Sequence, residues 1–123
     1  MGRRILIVDD EVCILRILSF RLRKAGFVPF EARSAEEALE LLGRQPVDLL
    51  LLDVTLATPT NGFDLAAMLR KDERLAGLPI FLLTASGSTE DILRGREVGA
   101  VGYVTKPFSI DDLIGRIQTL LAA

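Results

Sequence analysis

Four short apolar runs in this chain each stop at a residue suited to phosphoryl chemistry, and that placement limits the folds open to it. Ile5-Leu6-Ile7-Val8 stops at Asp9-Asp10, Leu49-Leu50-Leu51-Leu52 at Asp53, Ile80-Phe81-Leu82-Leu83 at Thr84, and Tyr103-Val104-Thr105 at Lys106-Pro107. A strand covered by helices on both faces reads as a continuous apolar run, because neither side of it meets water. Four successive leucines therefore imply burial on both faces. In open α/β sheets the ligand site lies beyond the carboxyl ends of the strands. If these runs are parallel neighbours, three carboxylates, a hydroxyl and an ammonium converge on one rim. That set suits a hard metal ion and a phosphoryl group.

The segments between the runs carry helical spacing, so strand and helix alternate as in a doubly wound α/β fold. After a strand at 4–8, a helix is expected over 11–25, with Val12, Leu15, Leu18 and Leu22 on one face and Gly26 ending it. A second strand spans 27–32. Pro29 lies within it and cannot donate to a ladder, so this strand belongs at a sheet edge. Ser34 caps a helix over 35–42, with Glu37 at the capping-box position, and Gly43 and Pro46 break it. The third strand is 49–53, followed by a turn-rich loop over 54–62 and a helix over 63–72. A strand at 79–84, a small-residue loop over 85–88 and a helix over 89–98 follow. Gly95 lies inside that helix and weakens it by about 1 kcal/mol relative to alanine. A short strand at 102–105 and a strongly patterned helix over 109–121 complete one domain, residues 1–123.

Composition closes off several classes of function. Half of the 123 residues are apolar, enough for one core without disulfides or structural metal. No apolar stretch approaches the roughly 20 residues of a membrane span. Met1-Gly2-Arg3-Arg4 leads directly into the first strand and leaves no room for a signal peptide, so a cytoplasmic location is expected. Cys13 is the single cysteine; it fits a reducing compartment and is expected to be a small buried hydrophobe. Net charge is −2, and no basic block points to direct nucleic-acid binding. Arg21, Arg23 and Lys24 complement the dipole at a helix end. The chain has no histidine, which excludes Ser-His-Asp and Cys-His mechanisms and His metal sites. A phosphohistidine donor would have to sit on another protein.

Five segments, Ile7-Val8-Asp9-Asp10-Glu11, Leu51-Leu52-Asp53-Val54, Gly62-Phe63-Asp64-Leu65, Leu83-Thr84-Ala85 and Gly99 through Phe108, stand in an order and spacing that resembles one family over essentially the whole chain. That family is the receiver domains of two-component response regulators. The resemblance implies a flavodoxin-like fold: a five-stranded parallel sheet in the order 2-1-3-4-5 with five helices. It implies Asp53 as the phosphoacceptor, Asp10, Asp53 and the backbone carbonyl of Thr55 as direct Mg²⁺ ligands, and Asp9 holding the ion mainly through water. Thr84 would donate to one phosphoryl oxygen and Lys106 would pair with another. Pro107 would follow a cis peptide bond, and Tyr103 would be the switch aromatic.

The implied function is a switch rather than a turnover enzyme. It would accept a phosphoryl group from a sensor histidine kinase or phosphotransfer protein. It would then signal to an output partner or effector domain through the face made by the fourth helix, fifth strand and fifth helix. The implication leaves a weak homodimer open and includes no membrane. Two departures stand out. Ala57 occupies the place of a usual proline, with Pro59 later and Gly62 one residue late, and Val101 and Gly102 stand where many receivers carry acids that help pair two copies. Two other readings share the acidic site. A Mg²⁺-dependent phosphohydrolase of the haloacid-dehalogenase type needs a second Asp where Thr55 stands, plus a cap domain. A pseudo-receiver would use the fold for interaction alone.

Overall fold

The structure, a computed structural model, describes residues 2–56, 61–85 and 88–122. Ten elements alternate along the chain: β1 (Arg4–Val8), α1 (Val12–Lys24), β2 (Val28–Ala32), α2 (Ala35–Arg44), β3 (Leu49–Asp53), α3 (Gly62–Lys71), β4 (Ile80–Thr84), α4 (Thr89–Glu97), β5 (Gly102–Thr105) and α5 (Ile110–Leu121). Expected and observed ends agree within one or two residues. Ala57 and Pro59, and residues 86 and 87 of the expected loop over 85–88, lie outside the described residues.

The five strands form one parallel sheet in the order β2-β1-β3-β4-β5, as expected. Side chains of a strand alternate between faces, and this sheet sorts them accordingly. Leu6, Val8, Leu50, Leu52 and Leu82 face a core shared with Ala38 and Leu42 of α2 and with Leu65 and Leu69 of α3. Ile5, Ile7, Leu49, Leu51 and Leu83 face the opposite core, closed by Leu15, Leu18 and Leu22 of α1 and by Leu113 and Ile117 of α5. The leucine run of β3 is therefore split two and two between the cores. All four are fully buried, each worth about 1.5–3 kcal/mol. β2, with Pro29, is an edge strand paired only with β1.

Local signals end the helices largely as expected. The Ser34 hydroxyl accepts from the Glu37 N–H at 3.1 Å, while the Glu37 carboxylate accepts from Arg33 N–H, one residue outside the usual capping box. Asn61, Ser88 and Ser109 cap α3, α4 and α5 in the same way.

Two expectations change. Cys13 is exposed, not buried. The buried stripe of α1 is Leu15, Leu18, Ser19 and Leu22, and Cys13 falls off it. Ser19 takes the inner position because its hydroxyl donates to the Glu31 carboxylate at 2.6 Å. Gly95 has a packing role beyond its cost to helix propensity. It is the buried residue of α4, and a Cβ there would lie 3.1 Å from Leu82 Cδ1, so its bare backbone lets α4 approach β4 closely.

Candidate functional site

Parallel pairing in register brings the strand ends level. Val8 lies beside Leu52, Asp53 beside Leu83, and Thr84 beside Thr105. The residues that follow or end these strands therefore meet on one rim. Asp9, Asp53 and Thr84 are almost fully buried, and Asp10 is half-buried. Each of Asp9, Asp10 and Asp53 offers a carboxylate oxygen within 4.8 Å of the others.

Lys106 is placed by its own backbone. Its N–H donates to the Thr84 carbonyl at 2.6 Å, and the bond to Pro107 is cis. The side chain reaches back into the carboxylates. Nζ lies 2.9 Å from Asp9 Oδ2, 3.3 Å from Asp53 Oδ2 and 3.4 Å from Glu11 Oε1. The other oxygens of the two buried acids are also occupied. Asp9 Oδ1 accepts the Glu11 N–H at 2.9 Å. Asp53 Oδ1 accepts both the N–H and the hydroxyl of Thr55, each at 2.9 Å. Asp53 thus presents two different oxygens: Oδ1 held by Thr55, and Oδ2 turned toward Lys106.

The donor set fits a hard divalent cation. All three side chains offer carboxylate oxygen, the ligand type that Mg²⁺ and Ca²⁺ prefer. Opposite oxygens around Mg²⁺ stand about 4.2 Å apart, twice its ~2.1 Å bond length. A cluster already within 4.8 Å needs only small shifts to close on such an ion.

Two ionisations report the strain of gathering these charges. Burial pushes the Asp9 carboxyl above its ordinary value and the nearby Asp53 charge adds to this, against the pull of the Glu11 N–H and of Lys106. Burial pulls Lys106 down, but its hydrogen bond to Asp9 and the charges of Asp53 and Asp9 outweigh that and raise it. The signs follow from linkage. Stability from the raised Lys106 is complete below the ordinary lysine value and is lost as pH rises through the folded one. Stability from protonated Asp9 is complete below the ordinary carboxylate value and is lost as pH rises through its folded value, above which the buried charge is a burden. In metal-free protein, Asp9→Asn should therefore gain on the wild type as pH rises from about 4 toward neutrality. Urea unfolding in chelator tests this, and a stability difference that ignores pH would contradict the raised carboxyl.

Tyr103 is half-buried in β5 and borders a cavity of about 220 Å³, whose lining includes Thr84, Phe63, Leu82 and Ile92. The structure thus brings Asp9, Asp10, Asp53, Thr84 and Lys106 together, with Thr55 against Asp53 and Tyr103 one cavity away. Three features escape a reading of the sequence. Glu11 is a third partner of Lys106. The Thr55 hydroxyl holds the central carboxylate. Gly62 abuts the Asp53 backbone, where a Cβ would lie 2.3 Å from the Asp53 carbonyl oxygen. Only the last had a signal, a glycine at the head of a helix in the loop after the central acid.

Comparison with known proteins gives a consistent picture. The family model described as response regulator receiver domain matches residues 5–118. The phosphate regulon transcriptional regulatory protein PhoB of Pseudomonas aeruginosa is 40% identical over 121 residues, covering 98% of this chain and 52% of the relative. A DNA-binding dual master transcriptional regulator of Synechocystis is 36% identical, over 96% of this chain and 48% of that protein. The chain therefore spans about half the length of these curated relatives. Among solved structures, the chemotaxis response regulator CheY4 of Vibrio cholerae superposes with a TM-score of 0.91 at 30% identity, covering 98% of this chain and all of that one.

Proposed function

The chain belongs to the family of response regulator receiver domains, and from that membership we propose that it is a phosphorylatable switch whose acceptor is Asp53. The observation that carries this reading is the asymmetry of Asp53. One carboxylate oxygen is held by Thr55, and the other sits 3.3 Å from the Lys106 ammonium at the mouth of an acidic cluster. Asp9, Asp10, Asp53 and the Thr55 carbonyl would hold Mg²⁺. Bound there, the ion supplies neutralising charge for the carboxylates and the phosphoryl oxygens.

The chain's own residues do the rest. An Asp53 carboxylate oxygen forms the new bond to phosphorus as the phosphorus–nitrogen bond of a donor phosphohistidine breaks, leaving the histidine on the donor protein. Lys106 exchanges its carboxylate partners for a phosphoryl oxygen, and the Thr84 hydroxyl donates to another. The donor is a histidine kinase or phosphotransfer protein. The chain is consumed one phosphoryl group at a time, as a switch and not a turnover enzyme. The added charge then biases α4, β5 and α5, and through them an output partner or effector domain. Among the described residues no helix is long and apolar enough to cross a membrane.

Labelling with a small phosphodonor, acetyl phosphate with Mg²⁺, tests the reading. A stable label at one group per chain is expected. Continuous phosphate release without label would indicate a phosphohydrolase, and no reaction would indicate a pseudo-receiver.

The metal assignment predicts a thermal shift. At a Mg²⁺ concentration about 100 times Kd, linkage adds about 2.7 kcal/mol, or about 10 °C in Tm for a domain of this size. Asp10→Ala should remove most of that response, and an unchanged response would rule Asp10 out as a ligand.

Thr84 and Lys106 should separate in their roles. Thr84→Ala should still accept phosphate but lose most of the amide shift changes that beryllofluoride induces over residues 88–105. Lys106→Ala should lose them too and bind beryllofluoride more weakly. Wild-type shift changes in Thr84→Ala would refute this coupling.

A further inference from the structure

Arg70, near the end of α3, spends four of its five N–H donors on backbone carbonyls of two other segments. Nη1 donates to Ala76 and Leu78 in the loop before β4, at 2.9 and 2.8 Å. Nε donates to Val98 at 2.8 Å and Nη2 to Gly99 at 3.0 Å. Val98 is the C-cap of α4. A cation there meets the negative end of the α4 dipole and supplies donors to carbonyls the helix itself leaves unpaired. Gly99 fits this contact. Its φ is +72°, and a Cβ on it would lie 3.3 Å from Arg70 Nε. Burial pulls the guanidinium down from its ordinary value.

The other end of α3 is seated on the acceptor. Gly62 N–H donates to the Val54 carbonyl at 3.2 Å, and the Gly62 backbone lies against that of Asp53. α3 is therefore a strut of about 15 Å from the acidic rim to the C-terminal end of α4. That end has further ties: Ala100 N–H donates to Gly95, and Val101 N–H to Ile80 of β4. The first half of α4 is held differently. It buries no residue fully, whereas Gly95 in the second half is buried, and the cavity of about 220 Å³ runs along the helix, bordered by Asp91, Ile92, Gly95, Arg96 and Ala100. Mid-helix, Arg94 stacks on Phe63 of α3 beside the buried Gly95.

We propose that Arg70 is a positioning residue for the switch: it fixes the C-terminal end of α4 as a pivot, so that the phosphorylation signal moves the N-terminal half of the helix and leaves Val98–Ala100 in place. The inference rests on the proposed acceptor role of Asp53.

The test is amide NMR of the full chain, with and without Mg²⁺ and beryllofluoride, on the wild type, Arg70→Gln and Arg70→Lys. In the wild type, large shift changes are expected over Ser88–Leu93 and small ones over Arg96–Ala100. In the variants, changes should spread through Arg96–Ala100. Amide exchange of Gly99 and Ala100 should also quicken by about tenfold or more in Arg70→Gln and less in Arg70→Lys. If Arg70→Gln fails to fold, Arg70→Lys carries the comparison. Equal wild-type changes at both ends of α4, or an unaltered pattern and exchange in the variants, would overturn the pivot while leaving Asp53 as acceptor. A wild type silent to beryllofluoride would overturn the acceptor reading and the pivot with it.

Discussion

Asp53→Asn should accept no phosphoryl group at the rim, taking acetyl phosphate labelling from one group per chain to none at this position. The substitution keeps the shape of the side chain and leaves an oxygen to accept the Thr55 N–H and hydroxyl, which now meet Asp53 Oδ1. It removes the anionic nucleophile, and an amide does not replace it. It also takes one charge out of a cluster in which the Asp53 carboxylate helps to raise Asp9, so the fold should persist. Intact-mass measurement with and without Mg²⁺ and acetyl phosphate reads the result, and peptide mapping locates any label. Full labelling of the variant, mapped to another residue, would withdraw the acceptor assignment. Labelling of the wild type at Asp53 together with none in the variant would secure it.

Gly62→Ala should be the most disruptive single methyl addition tested. The new Cβ would lie 2.3 Å from the Asp53 carbonyl oxygen and 2.5 Å from Val54 Cα, both backbone atoms of the segment carrying the acceptor. Backbone cannot rotate aside as a flexible side chain can, so α3 must lift from β3 or the turn after Asp53 must shift. Overpacking of this kind costs about 3 kcal/mol or more, about 10 °C in Tm at this size. Because the clash falls on the acceptor's own carbonyl, labelling should slow together with the loss of stability. By contrast, Gly43→Ala meets no atom within 4 Å and should leave Tm within a degree or two, or raise it slightly through helix propensity. Equal thermal stability of the two variants would show that α3 is not seated where the structure puts it.

Much of this fold is legible in the residues because burial on two faces leaves a plain mark. Ile5–Val8, Leu49–Leu52 and Ile80–Leu83 admit hardly any reading but interior strands, and Pro29 points β2 to the edge it occupies. The rim residues are legible for the same reason, since a polar residue ending such a run has nowhere to lie but the edge of the sheet. What stays hidden depends on contacts far apart in sequence. Glu11 joins Asp9 and Asp53 around Lys106 only once β5 lies beside β4. Ser19 looks like a surface residue until Glu31 is seen opposite it, and Cys13 looks buried until the stripe of α1 is fixed by what it packs on. Arg70 would pass for a solvated cation at a helix end, and its four carbonyl partners come from loops that no periodicity describes.

The run of identical side chains in β3 has a consequence for how the acceptor is indexed. Sliding a strand by one residue normally exchanges its inward and outward faces. Here a slide would exchange leucine for leucine, and the interior of the run carries no information against it. The information lies at the two ends, where an acid brackets the run. Asp48 accepts the Arg4 N–H on its carboxylate at 2.7 Å and donates its own N–H to the Arg4 carbonyl at 2.8 Å. Asp53 is pinned by Thr55 and Lys106. A one-step slide in either direction would draw one of these charges into the apolar ladder, where an unpaired ion is strongly disfavoured. The strand thus works as a ruler with marks only at its ends, and the depth at which Asp53 meets the rim is set in part by a carboxylate at the strand's opposite end.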